Sequence, residues 1–410
     1  MARTDTPIDR ASAADMMSLA SAMQVGAVIV LERDPGDVVS LLAERIRTVP
    51  RLRRRLVRTP FGCGRPIWVD DAGFDIAKHV DRLRCPSPGD EQALLDIAST
   101  LVTRPLPLSS PLWSATLITG LAGNRAALVF VFHHVLSDGI GGLAVLAKLV
   151  DGAPRTEPAP FPAPAPSRGQ LAKDTWFRLP RPISFAGLRR PSAGARCSLN
   201  QPTGPRRRQT MARADVSRLH TAAHRCGGTI NDALLTAVTG ALATLLASRG
   251  EHVDELVVSV PVSTRRMTTA DHLGNSTGVM PVALPTSGTP PSRLARIAAV
   301  TRSHKKSPAS VVPVFRLLKA IGVAEWLTNH QRLVHTFVTN VHGPDQPLSL
   351  GGTPIVGLLP LSATTGNVTV AFAALSYAGA LTVTVVADPD RVPDLAVLTE
   401  ALQVELDLLR

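Results

Sequence analysis

Residues 129–142 read VFVFHHVLSDGIGG, the stretch of this chain whose residue types and spacing most directly permit chemistry. The imidazoles of His133 and His134 titrate near neutral pH, so either can take up or release a proton under ordinary conditions. Neighbouring residues on a strand point to opposite faces. The two rings are therefore badly placed to hold one metal ion together, and no further ligands follow at the spacing that zinc requires. If one ring faces a cleft, the other faces packing. Asp138 lies four residues after His134, where it either orients an imidazole or fastens the loop by pairing with a buried arginine. No GxSxG elbow is present, so a covalent serine mechanism has no support. The same residue types also fit a core histidine pair followed by an ordinary Asp-Gly turn.

The surrounding pattern says how this stretch is held. Arg125–Phe132 is continuously apolar, as a strand covered on both faces would be, and it runs directly into the histidines. A strand at Ala115–Gly120 precedes it across a short turn at Gly123-Asn124. After Gly139 a helix continues with Leu143, Leu146 and Leu149. Upstream, Ser12–Gln24 reads as a helix and Val25–Glu32 as a strand. A helix carries Val38, Leu41, Leu42 and Ile46, and another follows Pro88-Gly89.

From Gly152 to about Thr210 the composition shifts to proline, arginine and serine, which marks a long connection. Beyond it, a helix starts at Thr229 and Asp232 and ends at Gly250. Strands are expected at Leu256–Val262, Gly278–Leu284, His335–Val341, Asn367–Leu375 and Leu381–Ala387. Helices are expected at Arg293–Ser303, at Phe315–Leu327 and around Leu395–Leu409. The reading is an α/β chain in three parts: a lobe over 1–151, a Pro/Arg-rich linker over 152–210 and a lobe over 211–410.

Composition narrows the classes. The chain has 410 residues, 45% of them hydrophobic and 19% charged, enough apolar sequence to bury a sizeable core. Ala127–Phe132 and Ala233–Ala247 are too short or too interrupted for a membrane span of about 20 residues. Met1–Arg10 has no apolar signal-peptide core, so the expected address is cytoplasmic. Cys63, Cys85, Cys197 and Cys226 show no CxxC spacing and read as reduced thiols. The net charge is +12, with arginine runs at Arg51–Arg58 and Arg206–Arg208. Such a balance suits nucleic acid, an anionic membrane surface or an acidic small substrate. Aromatic residues are only 4% of the chain, which argues against nucleic acid, because a single-strand binder needs stacking platforms.

HHVLSDG also matches the HHxxxDG signature of acyl-CoA-dependent acyltransferases, the superfamily of chloramphenicol acetyltransferases and peptide-synthetase condensation domains. Nearly end to end, the chain resembles the bacterial wax ester synthase/diacylglycerol acyltransferase family. Pro66-Ile67-Trp68-Val69-Asp70 with Phe74-Asp75 and His79-Val80, and then Pro111-Leu112-Trp113, resemble its pieces ahead of the histidine strand. Asn231-Asp232, Pro261-Val262-Ser263 with Arg265, Leu273-Gly274-Asn275, Asn340-Val341 with Gly343-Pro344, and Ser376-Tyr377 with Gly379 resemble those of its second half. Two positions depart: Pro107 stands where the family commonly has aspartate, and Ser114 where it has glutamate.

The resemblance implies two chloramphenicol-acetyltransferase-like lobes, with mixed sheets flanked by helices, around a central substrate tunnel. It implies ester formation from acyl-CoA, a substrate rather than a resident cofactor, and an alcohol: diacylglycerol, giving triacylglycerol, or a long-chain fatty alcohol, giving a wax ester. Within it, His134 is the general base, His133 packs against or tunes it, and Gly139 lets the backbone pass close to the channel. Asp138 holds the loop, with Arg265 as its expected partner. Asn275 is the expected oxyanion donor. Pro111, Leu112, Trp113 and Ser263 are expected along the channel, the first three either lining it or supporting the histidine strand. The basic runs would suit CoA phosphates or anionic headgroups, and contact with a membrane or lipid inclusion would be peripheral. A same-fold acyltransferase of a specialised product or glycolipid, and a non-catalytic lipid- or partner-binding homologue, are the alternatives.

Overall fold

A computed structural model describes residues 8–12, 23–154, 160–177, 194–263, 277–306, 329–364 and 366–409. Its elements, in chain order, are β1 (Gln24–Leu31), α1 (Val38–Ile46), β2 (Arg54–Val57), β3 (Ile67–Asp70), β4 (Val80–Arg84), α2 (Glu91–Thr103), β5 (Trp113–Thr119), β6 (Ala126–His133) and α3 (Gly139–Leu149). There follow α4 (Arg168–Phe177), β7 (Arg208–Asp215), α5 (Val216–Arg225), α6 (Ile230–Ser248), β8 (Glu255–Ser263), β9 (Thr277–Pro285) and α7 (Pro290–Lys306). The chain closes with β10 (Thr336–Val341), β11 (Ser349–Leu350), β12 (Thr353–Leu361), β13 (Val370–Tyr377), β14 (Ala380–Ala387) and α8 (Leu395–Leu408).

The helices start where side chains can satisfy their free N–H groups. Asp37 accepts from Ser40 N–H ahead of α1, and Asp90 accepts from Ala93 N–H ahead of α2. Thr229 and Asp232 form a reciprocal capping box on α6. The i, i+4 stripe Val38, Leu42, Ile46 buries one face of α1.

Two six-stranded mixed sheets carry the lobes, in the orders β11-β12-β1-β6-β5-β4 and β7-β14-β13-β10-β8-β9. In the first, β6 lies antiparallel to both β1 and β5, with Gln24 opposite His133. All eight residues of β6 are buried, as its apolar run requires. Helices α1 and α3 pack on one face of this sheet and α2 on the other. In the second, α6 and α8 pack on a core of Val258, Val282, Phe372, Val383 and Val385. Helix α6 is long and apolar enough to cross a membrane by length and composition, contrary to the expectation that no stretch reaches a span. Its buried side chains, from Ala233 to Leu246, instead make it the central helix of that core.

Most expected elements form within a residue or two of their expected ends; the helix expected at Phe315–Leu327 lies outside the described residues, as does most of that at Ser12–Gln24. The division of the chain differs in two ways. Strands β11 and β12 come from the second lobe's sequence but complete the first lobe's sheet, with Gly26 opposite Leu361. The segment 152–210 is not a plain connection either: it contributes α4 and the start of β7. The first lobe's core also takes in Leu375 and Tyr377 from β13, so the two halves share apolar packing.

Candidate active site

The histidine pair sits where β6 gives way to a turn. His133 is the last residue of the strand and is 6% exposed, and its Nδ1 accepts the Val135 N–H at 3.1 Å. The backbone N–H of His134 donates to Met23 carbonyl at 2.8 Å, and that of Leu136 to His133 carbonyl at 2.8 Å, which closes the turn. The side chains separate as the alternation predicts: His134 lines a cavity, and His133 packs in the fold.

Asp138 is the N-cap of α3, and its Oδ1 accepts the Gly141 N–H at 2.9 Å. That bond fixes where the helix starts relative to the turn, and hence where His134 is held. Gly139 follows on the cavity wall. A Cβ there would come within 3.1 Å of Val341 Cγ2 from the other lobe, so glycine permits the lobes to close at this point. Arg265, the expected partner of Asp138, lies outside the described residues, as does Asn275.

The cavity holds about 430 Å³, within the range of small-molecule sites. From the first lobe it is lined by β1, by Phe130 and Phe132 of β6, and by Ile140, Leu143 and Leu146 of α3. The second lobe adds Ser259, Phe337, Thr339, Asn340, Ala373 and Leu375. The crossing strand β12 adds Pro360 and Leu361, followed by Ser362 and Ala363. The wall is thus largely aliphatic and aromatic, with His134, Ser259, Thr339 and Asn340 among its few polar groups. Such a site fits a long apolar chain, whose reacting end meets those few groups.

The motif residues sort into wall and frame. Pro111, Leu112 and Trp113 are all buried and none lines the cavity, so of their two expected roles, lining the channel or supporting the histidine strand, their placement fits the second. Leu112 carbonyl accepts the His133 N–H at 2.9 Å. Trp113 is 1% exposed, donates Nε1–H to Leu52 carbonyl at 2.7 Å and stacks on Phe130 with centroids 5.4 Å apart. His79 stacks on the other side of Trp113 at 4.7 Å, with Nδ1 2.9 Å from Trp113 carbonyl. Ser263 ends β8. In the second half, Asp232 caps α6 and accepts from Thr301 Oγ1 at 2.7 Å. Gly343 passes so close to Ser376 carbonyl that a Cβ could not fit, and Tyr377 Oη donates to Ile355 carbonyl at 3.0 Å.

The Arg51–Arg58 run is also partly structural. Arg51 pairs with Asp9 and lies over the Trp68 ring, Arg53 lies over Phe161, and Arg54 pairs with Asp70. Only Arg55 and Arg58 of the run are exposed. Ser259, Phe337 and Thr339 were not legible as site residues, because nothing in their local sequence marks them. Asn340 carried a signal through the Asn-Val-x-Gly-Pro pattern.

A family model described as wax ester synthase/diacylglycerol acyltransferase catalytic domain matches residues 6–184, and the family's C-terminal domain model matches 273–410. The chain belongs to the wax ester synthase/diacylglycerol acyltransferase family. As a member it is an acyl-CoA-dependent O-acyltransferase. A Mycobacterium tuberculosis relative, named "Probable diacyglycerol O-acyltransferase", is 30% identical over 417 aligned residues, covering 93% of this chain and 90% of the relative. Among solved structures, the Marinobacter aquaeolei wax ester synthase/diacylglycerol acyltransferase superposes with a TM-score of 0.72 at 22% identity, covering 98% of each chain. The starter condensation domain of rhizomide synthetase, solved with C8-CoA and Leu-SNAC, gives 0.62 at 17% identity over 98% of this chain and 94% of its own. The two-lobe acyltransferase fold expected from HHxxxDG is the fold these structures share.

Proposed function

We propose that this family member esterifies diacylglycerol with a fatty acyl group from acyl-CoA, forming triacylglycerol, with His134 as the general base. The observation that carries the proposal is the exposure of His134, and not His133, on an apolar cavity walled by both lobes. The acceptor assignment draws on the relatives named as diacylglycerol O-acyltransferases.

The reaction balances with one imidazole. His134 takes the proton of the acceptor hydroxyl as its oxygen attacks the thioester carbon. The tetrahedral intermediate collapses, the C–S bond breaks, and the CoA thiolate receives that proton from the imidazolium. Ester and free CoA leave with no net change at the enzyme. The oxyanion needs donors aimed at it. Asn275 is the proposed donor on family resemblance, and among the described residues Asn340 and Ser259 bring a carboxamide and a hydroxyl to the cavity wall. Apolar walls keep bulk water from competing with the acceptor for the thioester.

The test is release of CoA thiol from palmitoyl-CoA with dioleoylglycerol, with hexadecanol or with no acceptor. We expect release to depend on dioleoylglycerol, and His134→Ala to lower it about 10²- to 10⁴-fold. Dependence on hexadecanol alone would reassign the acceptor to fatty alcohols. Full turnover in the variant would remove His134 from the base role.

A further inference from the structure

Two large aromatic side chains stand out of the first lobe. Phe61 is 108% exposed and Trp176 is 73% exposed, the two most exposed of the large hydrophobic side chains described. They come from segments far apart in sequence, the loop joining β2 to β3 and the helix α4, but belong to one small unit. Cys63 and Ile67 pack on Leu171 of α4. The Arg10 guanidinium binds both sides at once. Its Nε donates to Asp174 Oδ2 at 2.6 Å, its Nη1 atom to Cys63 and Arg65 carbonyls, and its Nη2 atom to Leu171 carbonyl and Thr175 Oγ1. Gly64 lies against Thr175 so closely that a Cβ would be 2.6 Å from Thr175 Oγ1. Phe61 stands three residues before this contact, and Trp176 one residue after it.

Among the described residues, the exposed charges of these two segments have one sign. Arg55 and Arg58 on the β2 side, and Arg168 and Lys173 on α4, are exposed. The acidic groups of the unit are already paired: Asp70 with Arg54, and Asp174 with Arg10. The described part of the unit therefore presents an indole and a phenyl ring together with exposed cations. Aromatic rings partition into the headgroup boundary of a bilayer, and flanking arginine and lysine are attracted to anionic lipid there.

We propose that the β2–β3 loop and α4 form a docking surface for an anionic lipid bilayer, with Phe61 and Trp176 entering the interface and Arg55, Arg58, Arg168 and Lys173 engaging its headgroups. The proposal rests on the reading of the acceptor as a water-insoluble lipid and says where the enzyme meets the surface that carries it. Nucleic acid would use the cations but leaves two isolated rings, on a chain poor in aromatics, without a stacking series.

Sedimentation of the full-length protein with vesicles tests it, without acyl-CoA or turnover. We expect binding to vesicles of phosphatidylglycerol and phosphatidylcholine, and little to phosphatidylcholine alone. Arg55→Glu/Arg58→Glu should weaken it about 30-fold or more, and Phe61→Ser/Trp176→Ser should weaken it comparably. Vesicles with brominated acyl chains should quench the part of the tryptophan emission that Trp176→Phe removes. Circular dichroism and melting confirm that each variant is folded. CoA release with detergent-dispersed acceptor should be unchanged in all of them, whereas release with acceptor in anionic vesicles should fall. Equal binding to neutral vesicles, undiminished binding by the folded variants, or tighter salt-sensitive binding to DNA than to vesicles would overturn the proposal. Because binding is read without chemistry, its failure leaves the acceptor assignment standing, and the reverse holds.

Discussion

His335 shows what burial does to an imidazole here. It is fully buried ahead of β10, with Nδ1 accepting the Val257 N–H and Nε2 2.8 Å from Ala195 carbonyl. Nδ1 must stay unprotonated to accept that bond, so the ring is neutral with its proton on Nε2. Burial pushes its pKa below the ordinary histidine value, outweighing the opposing contact with the Ala195 carbonyl, and burial acts in the same direction on His79 beside Trp113. A histidine depressed in the fold is protonated more readily in the unfolded chain. Its contribution to stability is therefore complete above about pH 6.5 and is lost as pH falls towards the folded value. The wild-type melting temperature should drop between about pH 6.5 and 5. His335→Gln should cost about 1–2 kcal/mol at pH 7.5 yet lose less on acidification; parallel melting curves would show that this ring does not carry the linkage. The cavity-facing histidine was legible because its setting is contiguous: the strand's last residue, His134, the capping aspartate and the glycine all fall within HHVLSDG. Ser259 and Thr339 reach the same cavity only through the pairing of β8, β10 and β13, which no local pattern encodes.

The crossing hairpin supplies part of the cavity wall, and the sequence concealed it. Strand β12 contains Pro354, Gly357 and Pro360, which weaken any strand signature, and its partner β1 lies at the other end of the chain. What seats it is Asp151, just beyond α3. Its carboxylate accepts from Ser349 Oγ at 2.8 Å, Gly351 N–H at 3.0 Å, Gly352 N–H at 2.8 Å and Arg45 Nη2 at 2.8 Å. Gly351 and Gly352 both take positive φ, 59° and 70°, which sets the turn from β11 into β12. Partial burial works to raise the Asp151 carboxyl, but the Gly352 N–H, the Ser349 hydroxyl, the Gly351 N–H and Arg45 together hold it below its usual range. The clasp is thus complete above about pH 4 and is lost as pH falls through the lowered folded value. Asp151→Asn removes the charge and should destabilise the chain by about 1–2 kcal/mol. Hydrogen exchange should locate the loss in 349–361, with a raised KM because Pro360 and Leu361 line the cavity. Unchanged exchange in that hairpin would show that the clasp does not seat it.

At the scale of the whole molecule, two lobes are visible in the sequence as two runs of helix and strand separated by a change in composition. Their interdependence is not visible, because it is made by pairings across the chain. Strand β12 closes one side of β1; α2 bridges the sheets, with Glu91 paired to Arg213 and Gln92 Nε2 donating to Gln209 carbonyl at 3.0 Å. The cavity wall needs both lobes and the crossing strand. A first-lobe fragment without β12 would leave β1 as an edge, with unpaired N–H and C=O groups along Ala27–Leu31 and apolar side chains on both faces. Such an edge invites association with other chains. A cut between residues 185 and 186 therefore should not separate two folding units. The fragment 1–185 should be insoluble or aggregated alone. Co-expression with 186–410 should return soluble protein and acyl transfer, because the second fragment supplies β11 and β12 to the first sheet. A soluble, monomeric 1–185 fragment with a cooperative melt would mean that the first lobe folds without the strand it borrows.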